Sequence, residues 1–100
     1  MSKYNFVLHV EFERDGQREE VSIQKSFDLN FRPMIDDEVT ICGDCPFVVT
    51  EFCFDADSGE AEVHFDRGPC VDNLQRWLDE GFSLYYSEGT LPDGIVWPGS

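Results

Sequence analysis

The sequence predicts a small, mainly β domain of the α+β kind: an antiparallel barrel or roll of about five to six strands with one short C-terminal helix. Three observations predict it. Apolar and polar residues alternate with a period of two along several stretches. Turn residues separate those stretches at roughly 8 to 12 residue spacing. Only the stretch after Gly68-Pro69 changes to a helical period. At 100 residues the chain has the length of a single domain, and residues 1–100 carry no linker, internal repeat or low-complexity segment.

The first strand is read from Tyr4, Phe6, Leu8, Val10 and Phe12 alternating with Asn5, His9, Glu11 and Glu13, with Val7 as the single break. Asp15-Gly16-Gln17 supplies a turn, after which Val21, Ile23, Phe27, Leu29 and Phe31 resume the period and complete a long hairpin. Lys25 interrupts the apolar face of that second strand, as a bend, a bulge or an edge would tolerate. Pro33 ends it. Val39-Thr40-Ile41-Cys42 and residues 46–54 read as a third and fourth strand around a two-residue turn at Gly43-Asp44. In that register Val39, Ile41, Val48, Thr50, Phe52 and Phe54 share the face expected to form the main core.

The cluster Asp55-Ala56-Asp57-Ser58-Gly59 marks the next turn, and Ala61, Val63 and Phe65 form a fifth strand. Val71, Leu74, Trp77 and Leu78 then fall on one side of a short helix that Gly81 caps, with Phe82 folding back as the hydrophobic partner of the cap. Leu84-Tyr85-Tyr86 reads as a last short strand, and the tail Ile95-Val96-Trp97 is expected to pack. The stretch Pro33-Met34-Ile35-Asp36-Asp37-Glu38-Val39, ahead of a tight hairpin, resembles the loop that enters a core strand in SH3-like barrels. The resemblance covers few residues and implies an architecture, not an activity.

Charge narrows the function. Asp and Glu number 21 against 7 Lys and Arg, for a formal net charge of −14, so a direct grip on nucleic acid or an anionic membrane is disfavoured. A charged partner should be basic. The first residues lack the apolar stretch of a secretory signal, and no apolar run approaches the roughly 18 residues that span a bilayer. A soluble, cytoplasmic protein whose mature chain starts at Met1 is expected. In a reducing compartment the four cysteines read as thiols rather than as a disulfide framework.

Candidate chemistry is sparse. Cys42 and Cys45 have the spacing that lets two thiolates converge on zinc, but Cys53 and Cys70 do not complete a standard ligand pattern. The segment after Cys45 is rich in β-branched residues, so the pair faces across a hairpin rather than capping a helix as a redox motif requires. Asp55, Asp57 and Glu60 miss calcium-loop spacing, and His9 and His64 read as separate surface imidazoles. No serine sits in a nucleophile elbow and no glycine loop suits phosphate, so neither an enzyme nor a cofactor is expected. What remains is where the acids fall. Glu11 and Glu13 share the outward face of the first strand, Glu60, Glu62 and Asp66 that of the fifth, and Asp36, Asp37 and Glu38 lie on the loop after Pro33. Carboxylates about 6.6 Å apart on a strand match about two phosphate steps of a nucleic-acid strand at roughly 3.4 Å each.

The expected function is therefore a non-enzymatic interaction domain that docks these carboxylates on a basic protein, with inhibition of a nucleic-acid-binding protein by mimicry as one form of it. The alternatives are a thiol- or zinc-dependent switch centred on Cys42 and Cys45, and an accessory domain whose interface is the apolar tail.

Overall fold

Asp15 and Gly16 both take positive φ, 52° and 78°, the pair of angles that a type I′ hairpin turn requires. They join β1 (Ser2–Arg14) to β2 (Gln17–Leu29). Pairing runs unbroken from Arg14 opposite Gln17 to Ser2 opposite Leu29. This hairpin is the spine of the computed structural model, which describes residues 2–41, 43, 46–57, 59–89 and 91–99.

The remaining strands are β3 (Glu38–Val39), β4 (Phe47–Phe54), β5 (Ala61–Phe65) and β6 (Ser83–Ser87). They complete a six-stranded sheet in the order β3-β4-β5-β1-β2-β6. β5 runs parallel to β1, whereas the other pairs are antiparallel. The architecture is thus mainly β with one short helix, and the sheet is mixed and open, with β3 and β6 as its edges. The all-antiparallel expectation is corrected here. Hydrophobic period shows which face a strand buries but not which strand it neighbours, and β5 is laid against β1 by a crossover that the period does not encode.

One face of the sheet carries the core. Phe6, Leu8, Val10, Val21, Ile23, Val63 and Phe65 are buried there against a 3-10 turn (Val71–Asn73) that runs into α1 (Leu74–Asp79), whose Leu74, Trp77 and Leu78 point inward. Trp77 meets Phe47 edge-on at 5.7 Å between ring centroids. Gly81 has φ 115°, its N–H donates to Leu78 O at 3.1 Å, and Phe82 N–H donates to Trp77 O at 3.2 Å. That pair of bonds is the Schellman motif, and its hydrophobic contact is Phe82 against Trp77 at 5.3 Å, as the sequence predicts.

Lys25 lies opposite Phe6 in an unbroken stretch of the β1–β2 ladder, and on its other side the pairing with β6 ends at Gln24, so of the three settings expected for it the edge is the one that applies. Its ammonium donates to Glu80 O at the C-cap of α1 at 2.7 Å and lies over the Phe27 and Phe82 rings. A cation at a helix C-terminus satisfies an orphan carbonyl while its aliphatic stem covers apolar surface.

The expected core face of β4 is also corrected. The register of β4 on β5 shifts between Val49 and Glu51, and such a bulge exchanges the faces of the residues on either side of it. Phe47 and Val49 are therefore buried, Val48 is half-buried, Thr50 is exposed and Phe54 is 67% exposed. The third strand is shorter than expected, because among the described residues only Glu38 and Val39 pair. Gly43 has φ 72°. The rest of its turn, Cys42, Asp44 and Cys45, lies outside the described residues. Ile95 and Trp97 of the tail pack on the core. Among the described residues no helix is long and apolar enough to cross a membrane.

Candidate functional site

The helix covers one side of the sheet, and the polar side of β1, β2 and β5 carries the densest set of chemically active groups. The parallel register sets Val7 opposite His64, which brings His64 beside His9, two residues further along β1. The two rings stack at 5.5 Å with a 19° interplanar angle, and His9 Nε2 lies 3.3 Å from His64 Nδ1. They form one group rather than two separate surface imidazoles. His64 Nε2 is 3.0 Å from Glu62 Oε1, which also accepts from Tyr85 OH at 2.9 Å, and His9 Nδ1 is 2.8 Å from Ser22 Oγ.

The carboxylate sets the direction of the whole string. Glu62 accepts, so His64 donates from Nε2; with the rings neutral, His64 accepts at Nδ1 from His9 Nε2–H, and Ser22 donates its hydroxyl hydrogen to His9 Nδ1. Every hydrogen bond is satisfied with both imidazoles neutral. Burial pushes His9 below its ordinary pKa and the neighbouring His64 acts in the same direction, while Glu20, 3.5 Å from Nδ1, pulls it up. Burial, followed by donation to Glu62, pushes the Tyr85 phenol up. Val7, on this same side, has no exposed surface, so the string roofs an apolar residue. Ser22, His9, His64 and Glu62 are linked as a nucleophile, a base and its supports would be. Ser22 is only 4% exposed, however, and its hydroxyl has no approach to an external carbonyl.

Beyond His9 the same side of the hairpin becomes acidic. Glu11 and Glu20 face each other directly across the β1–β2 ladder, an arrangement of like charges that destabilises a sheet. They stand where two clefts adjoin. One, of about 470 Å³, is lined also by Glu19, Glu88 and Arg18; the other, of about 260 Å³, by His9, Asp66, Arg67 and Cys70. Arg18 partly compensates Glu11 at 3.6 Å.

The expected acidic ladder is divided by this geometry. Glu11 and Asp66 meet at the cleft, and Glu13 lies further along β1, opposite Arg18. Glu62 is held inside the histidine string, Glu60 accepts from Ser26 at 3.5 Å, and Asp66 also accepts from Val48 N–H at 3.2 Å. Asp36, Asp37 and Glu38 lie beside the opposite edge of the sheet, where Asp36 N–H donates to Val49 O and Asp37 accepts from Met34 N–H at 2.9 Å. No single face presents all eight carboxylates at phosphate-like spacing.

Cys42 and Cys45, the other predicted pair, lie outside the described residues. Cys53 and Cys70 are free thiols, and the Cys53 thiol is pushed up by donation to Glu51. Among the described residues no group of three or more His, Cys, Asp or Glu side chains is placed to hold a metal.

Glu20, Glu19 and Glu88 were not among the predicted site residues. The first was within reach of the sequence, because a two-residue turn at Asp15-Gly16 pairs Arg14 with Gln17 and hence Glu11 with Glu20. The His9–His64 contact depends on the parallel pairing and had no such signal. Comparison with protein-family models, curated proteins and solved structures finds no match for the chain.

Proposed function

We propose that this chain is a non-enzymatic interaction domain whose two adjoining acidic clefts accept Lys or Arg side chains of a basic protein. The observation that carries this reading is the Glu11–Glu20 opposition at the junction of the clefts. Solubility is served by carboxylates anywhere on the surface, whereas two placed directly opposite in a ladder cost the fold stability. A cation inserted between them removes that repulsion and gains two charge-assisted contacts. The dimensions suit side chains rather than a polymer. A partner that normally binds nucleic acid carries clustered Arg and Lys on its own binding surface, so occupation of these clefts would block it.

The test is a pull-down from lysate of the source cells with the full chain as bait, eluted by a salt gradient and challenged with duplex DNA. A basic protein that is retained, leaves as salt rises and is displaced by DNA supports the reading. Glu20→Gln should weaken that retention while raising thermal stability slightly, and an Asp36→Asn/Asp37→Asn variant should leave retention unchanged. Retention unaffected by Glu11→Gln/Glu20→Gln would refute the proposed site.

A further inference from the structure

At the opposite end of the hairpin the local charge changes sign. Ser2, Tyr4, Arg32, Phe52 and Phe54 line a groove of about 470 Å³ with Lys3 on its wall. A second hollow of about 340 Å³ adjoins it through Ser2, Tyr4 and Arg32 and adds Phe31. Phe54 is 67% and Phe31 53% exposed, while Tyr4 meets Phe52 edge-on at 6.1 Å. The Arg32 guanidinium lies 4.7 Å from the Phe52 ring centre.

The pairing of the chain's seven cations singles out this place. Arg14 pairs with Glu19 and Asp93, Arg18 with Glu11, Lys25 donates to Glu80 O, Arg67 donates to Pro46 O, and Arg76 is also engaged. Among the described residues the side chains of Lys3 and Arg32 have neither a hydrogen bond nor an ion pair, although carboxylates outnumber cations threefold. Lys3 sits opposite Asp28 in the ladder without an ion pair to it. Arg32 lies over Phe52 on the aromatic wall of this groove, while the Lys3 side chain, alternating with Tyr4, is set toward the opposite face of β1. Glu60, the carboxylate on its wall, accepts from Ser26.

The geometry points to a binding site for a small aromatic anion: a planar ring system lying against Phe52 and Phe54, with its carboxylate or phosphate on the free N–H donors of Arg32. Grooves of about 300 to 1,000 Å³ that combine apolar walls with a few polar groups are the usual ligand sites. Arginine contributes twice, stacking on a ring while its remaining N–H donors stay free for an anion. The site is separate from the acidic clefts, about 26 Å away along β1 at 3.3 Å per residue. It does not depend on the function proposed above.

The test is a titration of the full chain followed by ¹H–¹⁵N correlation spectra, using 1-naphthoate, 1-naphthyl phosphate, 1-naphthalenemethanol and 1-naphthylmethylammonium as probes. Saturable shifts at Lys3, Tyr4, Arg32, Phe52 and Phe54 are expected for one or both anions, with the alcohol binding about tenfold more weakly, and the preferred anion identifies the headgroup. Arg32→Gln and Phe54→Ser, both at exposed positions, should each weaken anion binding at least fivefold with the remaining spectrum unchanged. Equal binding of the alcohol or the ammonium, shifts centred on the His9 cleft, or the absence of saturation would overturn the assignment.

Discussion

Replacing Gly68 by alanine tests whether the polar cleft is held where the structure places it. A Cβ at position 68 would lie 2.4 Å from the His9 carbonyl oxygen, 2.7 Å from its carbon and 3.1 Å from Val10 Cγ2. His9 belongs to a central strand, bonded to β2 on one side and flanked by β5 on the other, so β1 cannot yield. The chain around Gly68 must lift instead, carrying Asp66, Arg67 and Cys70 away from His9 and widening the cleft. Overpacking of this kind costs about 1–3 kcal/mol, offset by about 0.4–1 kcal/mol from the reduced freedom of alanine in the unfolded chain. The expected net loss is about 1–2 kcal/mol, or about 5–10 °C in Tm for a domain of this size. Thermal unfolding followed by circular dichroism measures it. Gly89→Ala is the control, since nothing lies within 4 Å of its Cβ position, and it should be at least as stable as the parent. A Gly68→Ala protein with an unchanged or higher Tm would refute the close approach of Gly68 to β1.

Three further outcomes follow from the same geometry. Burial depresses the His9 pKa in the folded state below the ordinary value near 6.5, so the unfolded chain binds the extra proton more readily. Its stabilising contribution should be complete above about pH 6.5 and lost as pH falls through the depressed folded value; denaturant midpoints across pH 4–8 should show this, and His9→Gln should flatten that part of the profile. Trp77 is fully buried and no acceptor among the described residues reaches its Nε1. Trp77→Ala should therefore lose about 3–5 kcal/mol, whereas Trp77→Phe, which also removes the orphan donor, should lose less than half of that in urea denaturation. Lys25→Met keeps the stem but not the bond to Glu80 O, and a loss of about 1 kcal/mol is expected, read by hydrogen exchange as earlier opening of α1.

Local signals in the sequence carried the elements whose partners are close in the chain. The β1–β2 hairpin follows from strict alternation around Asp15-Gly16, and the Schellman cap from Gly81 with Trp77 and Phe82 at fixed offsets. Two features were not legible for a common reason, that they depend on partners rather than on pattern. The bulge near Thr50 turns Phe47 and Val49 inward where uninterrupted alternation turns them out. The parallel β1–β5 pairing converts an outward-facing His64 into the neighbour of His9. The acidic site was legible by composition but not by place, since Glu62 and Asp66 look as free in the sequence as Glu11 does and become bonded only once β4, β5 and β6 are assembled.

The hairpin also explains why one small sheet can present two surfaces of opposite preference. Core residues occupy one face of β1 along nearly its whole length, from Tyr4 to Phe12, so functional groups can only be placed on the other face or at the ends. On that other face the uncharged string of Ser22, His9 and His64 lies between Lys3 near the start of the strand and Glu11 near its end. The separation of about 26 Å along the strand exceeds the Debye length of about 8 Å at physiological ionic strength. The groove at Arg32 is therefore screened from the acidic clefts, so a net charge of −14 does not oppose the anion proposed there. Protonation of His9 would act on one end alone, because its ring lies 3.5 Å from Glu20 and far beyond a Debye length from Arg32's groove.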